Sequence, residues 1–200
     1  CAPQTFQHDE RPNSPGIQAN KQSPISESYQ LTFTGKRSGE AYFDAKSEKL
    51  IFQAEHLADN PFYQMYTMNI DSGKATLLSD GTGKTTCGYF HPQKNLALYA
   101  STHLDPEKES KQKDEIISRA HGKKKRYAWD FDLHFDIFAM DLASNQVTQL
   151  TKAKGYDAEG AYSPDGNWIV FGSNRHAYTG SLNEEEKATL SKNSAHFMEI

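Results

Sequence analysis

The chain places its apolar residues in short runs bounded by turn-forming residues, and one such pattern occurs three times. The copies span 39–52, 87–99 and 159–171. In each copy an aromatic run leads into a tight turn, and a second apolar run follows, as in Leu50–Phe52 and Trp168–Phe171. Short apolar runs between turn residues predict β-strands. Recurrence of the whole pattern is typical of a repeat architecture.

A second pattern follows the first in the two earlier copies. Tyr63–Asn69 and Phe135–Asp141 alternate apolar and polar residues with a period of two, which is typical of half-buried strands. Short outer strands are predicted at Thr76–Leu78 and Val147–Leu150, and Gln30–Thr32 has the same character ahead of the first copy. Each unit is thus predicted to hold four antiparallel strands, which is one blade of an all-β β-propeller.

The spacing of the copies sets the register between units. Equivalent positions lie 47 residues apart between the first two units and 72 apart between the second and third. The difference, 25 residues, is an insertion between the second and third strands of the middle unit, at about Leu104 to Trp129. A long charged insertion is expected to form a surface loop. A helix is predicted only at Asn183–Ser191, where acidic residues suit a helix N-terminus.

Residues 29–200 are therefore predicted to form about three blades, the last of them incomplete. Glu199–Ile200 aligns with the beginning of the third strand of the earlier units. Three blades do not close a ring, and an open propeller leaves unpaired strand edges. We expect the chain to be part of a longer protein, or its ring to be completed by another copy. An open twisted sheet of repeats is the alternative.

Composition excludes some function classes. The net charge of −4 and the pI of about 6.1 give no electrostatic argument for nucleic acid. No apolar run approaches the roughly 20 residues of a membrane-spanning helix. The basic run Lys123–Arg126 shares its segment with acidic residues. That mixture favours a solvated loop over a phosphate or lipid contact.

The first residue, Cys1, suggests a membrane anchor. Bacterial lipoproteins are cleaved just before a cysteine, which then carries the lipid. The residues that follow, up to position 28, are rich in Pro, Gln, Asn and Ser and contain little that could be buried. We therefore expect a flexible tether over residues 1–28, lipidation of Cys1 and anchoring to the outer membrane. A chain that merely happens to begin at this cysteine is the alternative.

The repeat itself resembles that of TolB-like, or WD-like, bacterial β-propellers. The resemblance is carried by Ser163–Phe171, which reads Ser-Pro-Asp-Gly-Asn-Trp-Ile-Val-Phe, and by Gln149–Thr151, Gly155–Glu159 and Ser173–Arg175. It covers the chain from about Tyr29 to Ile200. The resemblance implies a periplasmic or cell-surface propeller, which in this family is either a binding module or the non-catalytic domain ahead of a peptidase. The corresponding turns of the first two units depart from Ser-Pro-Asp-Gly.

Polar residues at one end of the predicted strands are candidates for ligand binding. In a propeller the first strand of each blade lines the channel, and the loop before it shares a face with the loop after the second strand. His56, His103 and Arg175 occupy equivalent repeat positions in such loops. The full candidate set at this channel rim is Arg37, Glu40, His56, Lys84, His103, Asp157, Glu159 and Arg175. We expect these groups to converge on one channel mouth and to favour an anionic or carboxylate-bearing ligand or peptide; a solvated rim without a ligand is the alternative.

A second constellation could hold a divalent metal ion. Asp130, Asp132, His134 and Asp136 would line one face if the segment were extended. Carboxylates with an imidazole can coordinate such an ion. An exposed strand face explains the same alternation without a metal, and no other cofactor is expected.

No nucleophile motif is present in the sequence, neither Gly-x-Ser-x-Gly nor His-Glu-x-x-His. We therefore expect a non-catalytic binding or scaffold module of the periplasm or cell surface. Its partner would be a protein or a peptidoglycan-associated component of the cell envelope. The alternatives are the propeller domain of a larger hydrolase and a propeller lyase acting on acidic sugars with the His and Arg residues of the rim.

Overall fold

The structure, a computed structural model, describes residues 5–6, 28–122 and 130–200. Cys1 and most of the predicted tether lie outside these residues. The strands are β1 (Thr5–Phe6), β2 (Arg37–Phe43), β3 (Lys49–Glu55), β4 (Gln64–Asn69), β5 (Ala75–Leu77), β6 (Thr85–Phe90), β7 (Leu96–Ser101), β8 (Asp136–Asp141), β9 (Val147–Gln149), β10 (Asp157–Tyr162) and β11 (Ile169–Ser173). The helices are α1 (Lys108–Ala120), α2 (His176–Thr179) and α3 (Glu184–Lys192), followed by a 3-10 helix at Ser194–Phe197.

The strands form three antiparallel units in chain order. The first is β2-β3-β4-β5, the second is β6-β7-β8-β9, and the third contains the hairpin β10-β11. A single bridge from Ser173 to Glu199 begins a third strand on that hairpin. It is equivalent to the pairing of Ser101 with Asp136 in the second unit. The predicted fold class, four-stranded propeller blades with the third incomplete, is confirmed by this topology.

The first strand of each unit carries the same irregularity. Its pairing with the second strand shifts by a bulge, and the bulged residue has a positive φ: 47° at Glu40, 52° at Cys87 and 59° at Glu159. These three residues stand 47 and 72 positions apart, so the bulge is part of the repeat. A bulge re-aims the side chains that follow it. Gly88 and Gly160 come directly after two of the bulges.

Successive units pack through these glycines. A Cβ on Gly88 would lie 2.6 Å from Sδ of Met65 and 2.7 Å from Cδ1 of Ile51, both in the first unit. A Cβ on Gly160 would lie 2.8 Å from Cδ2 of Leu98 in the second unit. Side chains of one blade therefore occupy the space that a side chain at the glycine of the next blade would need. This junction buries Ile51, Met65 and Leu98 completely.

Helices appear where the sequence analysis predicted one and also where it did not. α3 begins after Asn183, whose side chain accepts from the backbone N–H of Glu186 while the Glu186 carboxylate accepts from the Asn183 N–H. This confirms the predicted helix. The insertion of the middle unit was expected to be a loop, but 13 of its residues form α1. The prediction of a plain loop was therefore wrong. The helix forms because its Lys, Glu, Gln and Ala residues are good helix formers.

Two further differences concern the first unit. Gln30–Thr32 is not a strand, and β1 takes the edge of the sheet by pairing with β5, Thr5 opposite Thr76. β1 comes from the segment that was expected to be a flexible tether. Among residues 28–122 and 130–200, none of the helices combines the length and the apolar character needed to cross a bilayer.

Candidate functional site at the rim

The loops before β2, β6 and β10 and those after β3, β7 and β11 form one face, which we call the rim. Lys84 directly precedes β6, His56 directly follows β3, and His103 and Arg175 lie two residues beyond β7 and β11. Arg37 and Asp157 are the first residues of β2 and β10. Glu40 and Glu159, by contrast, lie at the bulges inside those strands, so their predicted position in rim loops was wrong.

A buried polar residue repeats at the rim that the sequence analysis did not single out. Glu55 is the last residue of the second strand in the first unit, and Thr102 and Asn174 directly follow the second strands of the other two. Oγ1 of Thr102 accepts from the backbone N–H of Lys84 at 2.9 Å, and Oδ1 of Asn174 accepts from that of Tyr156 at 2.8 Å. These bonds fix the start of the first strand to the end of the second. The signal was available in the sequence as a polar residue after an apolar run at the same repeat position.

In the first unit, Glu55 is the centre of an ion-pair cluster. Its carboxylate is only 2% exposed. It contacts Lys36 at 3.1 Å, Arg37 at 2.9 Å and Arg119 of α1 at 2.6 Å. Burial alone would raise the pKa of Glu55, but the hydrogen bond from Lys36 and the charge of Arg119 outweigh it and lower the pKa. Glu55 is therefore held ionised, and Arg37 is already paired with it.

In the second unit, two lysines form ion pairs with three aspartates. Nζ of Lys111, in α1, lies 2.6 Å from Asp105 and 3.0 Å from Asp132, and both aspartates are buried. Nζ of Lys84 lies 2.7 Å from Asp130 and 3.3 Å from Asp132. Burial raises the pKa of Asp132, but hydrogen bonds from Lys111 and the charge of Lys84 outweigh it and lower the pKa. A cavity of about 810 Å³ between α1 and residues 130–134 is lined by both lysines and by Asp130 and Asp132.

The predicted metal face does not form, because the segment turns back on itself. The N–H of His134 donates to the Asp132 carboxylate at 3.1 Å, and the N–H of Phe135 donates to the Asp132 carbonyl at 3.3 Å. Asp136 begins β8 and accepts from Gln149 and Thr151 instead.

The structure does bring ligand atoms of Asp132 and His134 within 4.8 Å of one another and of Asp105. The ammonium of Lys111 already lies against both carboxylates. A divalent ion there stays a prediction, and it would have to displace that lysine.

In the third unit, Arg175 forms a bidentate pair with Asp157. Nη2 of Arg175 lies 2.6 Å from Oδ2, and Nε donates to Oδ1 at 3.1 Å. Asp157 is fully buried and also accepts from the hydroxyl of Ser173 at 2.6 Å. Arg175 further packs on the ring of Phe171. The guanidinium of Arg175 is therefore already bound by a carboxylate of its own blade, and the sequence did not reveal this pair.

The two rim histidines pack on aromatic residues of their own units. His103 lies with its ring centroid 4.3 Å from that of Phe138, and its Nδ1 is 2.9 Å from the Ser101 hydroxyl. The rings of His56 and Tyr66 pack edge to face, with their centroids 6.2 Å apart. Burial lowers the pKa of His103, and the charge of Asp80 acts in the opposite direction. The lowered pKa favours a neutral imidazole at pH 7.

Glu40, Cys87 and Glu159 form a separate group on the inner strands. Sγ of Cys87 donates to the Glu40 carboxylate at 3.2 Å. Burial raises the pKa of Cys87 to about 12, and the charges of Glu40 and Glu159 add to the effect. Burial and the charge of Glu40 also raise the pKa of Glu159. The bulges thus bring equivalent residues of three blades into one electrostatic group, away from the ion pairs of the rim.

Comparison with known proteins gives limited matches. No protein-family model matches the chain. An uncharacterized protein of Agrobacterium fabrum is 44% identical over 54 residues, which is 27% of this chain and 18% of that protein. The structure of a protein from Agrobacterium tumefaciens assigned as a TolB has a TM-score of 0.49 at 17% identity, covering 72% of this chain and 40% of its own. TolB from Acinetobacter baumannii has a TM-score of 0.45 at 18% identity, and the match covers 70% of this chain and 27% of that protein.

The chain therefore spans less than half of the proteins it matches. At these identities the likeness concerns the fold, and the assignment of the fold rests on the sheet topology described above. Both solved structures are described as TolB proteins. The described residues form antiparallel β-propeller blades.

Proposed function

We propose that this chain is a non-catalytic propeller module of the bacterial cell envelope, which binds a protein or another polar ligand at the rim. The observation that carries the proposal is the repetition of polar side chains at equivalent rim positions, each held by buried partners. Fixed polar groups lose little conformational freedom when a ligand binds. Because the rim offers both carboxylates and cations, a protein or peptidoglycan-associated partner with mixed polar groups suits it better than a purely anionic ligand.

The proposed location is the periplasm or the cell surface, with Cys1 as the lipid-anchored residue at the outer membrane. The TolB-like repeat and the Pro- and Gln-rich segment behind Cys1 support this. Cys1 lies outside the described residues, so the test is biochemical. Replacement Cys1→Ser should move the protein from the membrane fraction to the soluble periplasmic fraction. Membrane association that is unchanged in this variant would contradict the anchor.

The alternative of a lyase acting on acidic sugars is less favoured. Such an enzyme needs a rim arginine that can bind the substrate carboxylate, and Arg175 is instead bidentate on the buried Asp157. Purified protein should therefore show no turnover of uronate polymers. A peptidase domain following the propeller is a separate alternative, which the reading frame beyond Ile200 would reveal.

The binding proposal is tested by changing the rim without changing its ion pairs. We choose the double replacement His56→Gln with His103→Gln, which leaves every lysine, arginine and carboxylate of the ion pairs described above unchanged. The matched control is Lys94→Gln, in the exposed hairpin turn at the opposite end of the second blade. Cross-linked envelope proteins captured by the wild-type chain should be lost with the double variant and kept with the control. Equal capture by all three proteins would contradict a rim site.

A further inference from the structure

The helix α1 is attached to the blades by polar side chains alone. None of its 13 residues is buried. It nevertheless reaches two blades, because Arg119 contacts Glu55 in the first and Lys111 contacts Asp132, which lies shortly before the third strand of the second. Most helices of globular proteins are held by an apolar face. α1 is held instead by ion pairs and hydrogen bonds between its side chains and the rim.

Further hydrogen bonds place α1 directly over the rim loops. Arg119 donates to the carbonyl of Pro61 at 2.9 Å, and the Gln112 side chain accepts from the N–H of Gly83 at 3.0 Å. Lys108 donates to the carbonyl of His103 at 2.5 Å. With α1 in this position the Lys84 side chain is only 13% exposed. The helix therefore covers part of the surface to which we assign ligand binding.

Two of the three carboxylates that hold α1 have a second cation supplied by the blades. Glu55 also contacts Lys36 and Arg37. Asp132 also contacts Lys84 at 3.3 Å. Asp105, three residues before the helix, has the imidazole of His134 at 3.7 Å. Breaking a buried ion pair is costly mainly when it leaves a buried charge unpaired. Detachment of α1 leaves Glu55 and Asp132 paired.

We propose that α1 is a detachable lid on the rim. It opens as one unit while the blades stay folded, and opening exposes Lys84 and His103. The blade cations Arg37 and Lys84 then hold Glu55 and Asp132 by themselves. This inference rests on the proposed binding function of the rim for its biological meaning, but the motion is a property of the helix and its ion pairs.

The test is hydrogen exchange of the full 200-residue chain, read by mass spectrometry on peptides from α1 and from β3 and β7. The variants are Arg119→Leu and Lys111→Met, and the control is Lys113→Met, an exposed lysine on the same helix. Losing an attachment should speed exchange in α1 about tenfold or more, while β3 and β7 stay protected. The control should exchange as the wild type does. Raising the salt from about 0.05 M to about 1 M should speed exchange of α1 in the wild type, because both cations are about a third exposed.

Two results would overturn the lid. One is an exchange rate of α1 that is unchanged in both Arg119→Leu and Lys111→Met. The other is loss of protection in β3 and β7 together with α1, which would make the helix an integral part of the blades. Neither result requires a partner, so failure of the lid is distinguishable from failure of the rim as a binding site. If the lid and the rim site are both real, Arg119→Leu should also increase capture of envelope proteins over Lys113→Met.

Discussion

The pair of Arg175 with Asp157 gives the sharpest test of how the rim is built. The sequence placed Arg175 among the rim residues expected to bind a ligand. The structure places its guanidinium on a fully buried carboxylate at 2.6 Å. The replacement Arg175→Met keeps the stem that packs on Phe171 and removes the charge. Asp157 then retains only the Ser173 hydroxyl among the partners described here.

The expected loss of stability follows from this geometry. Removing one partner of a buried ion pair costs about 3–5 kcal/mol. Since Arg175 is itself about a third exposed, we expect the lower end, about 3 kcal/mol. For a chain of this length that corresponds to a decrease in Tm of about 6–12 °C. Combining it with Asp157→Asn removes the stranded charge, so the double variant should regain most of the loss.

Thermal and urea unfolding followed by circular dichroism would measure these differences. The matched control is Lys187→Met, which breaks an exposed pair with Glu184 of 2.7 Å. Exposed pairs contribute about 0–1 kcal/mol. The reasoning is refuted if Arg175→Met costs no more than the control. It is also refuted if Asp157→Asn adds to the loss instead of relieving it.

Three further predictions concern the blade junctions and single side chains. Gly88→Ala should destabilise the protein by about 1–3 kcal/mol, because the added Cβ would meet Met65, whereas Gly39→Ala has nothing within 4 Å and serves as its control; equal urea midpoints would contradict this. Burial lowers the pKa of His91, whose Nδ1 accepts two backbone N–H groups, so the unfolded chain binds more protons and stability should fall as pH drops below about 6.5. Unfolding at pH 7.5 and 5.5 tests this, and His91→Asn should flatten the difference. Cys87, with its pKa of about 12, should alkylate slowly at pH 8 in the folded chain and rapidly in urea; peptide mass spectrometry would show equal rates if the thiol were reactive.

The blades could be read from the sequence because their pattern is local and repeated. The 47- and 72-residue offsets place every strand from β6 to β11, and even the bridge at Glu199 falls where the alignment put it. Alternation of apolar and polar residues specifies a strand directly. α1 was missed because helix propensity is a weak signal in a charged segment that has no apolar face. Its helix is fixed by long-range ion pairs to Glu55 and Asp132.

The rim was predicted as a set of positions and not as a set of contacts. Repeat symmetry placed His56, His103 and Arg175 correctly after the second strands. It could not show that Arg175 is neutralised by Asp157, because the partner is chosen by side-chain geometry across the hairpin. The extended face that the metal prediction assumed is absent for a related reason. A turn after Asp132 reverses the chain, and period-two alternation says nothing about where an extended segment ends.

The missing side chains at Gly88 and Gly160 have a consequence for the curvature of the whole assembly. Each glycine lets one sheet approach the next more closely than any other residue would allow. The distance of approach near the channel sets the angle between neighbouring sheets. That angle, repeated around a circle, determines how many sheets complete it, within the four to eight found in propellers. The equivalent position of the first unit is Ala41. A sheet packed ahead of the first unit would contact the methyl group of Ala41, and the angle between these two sheets would be wider.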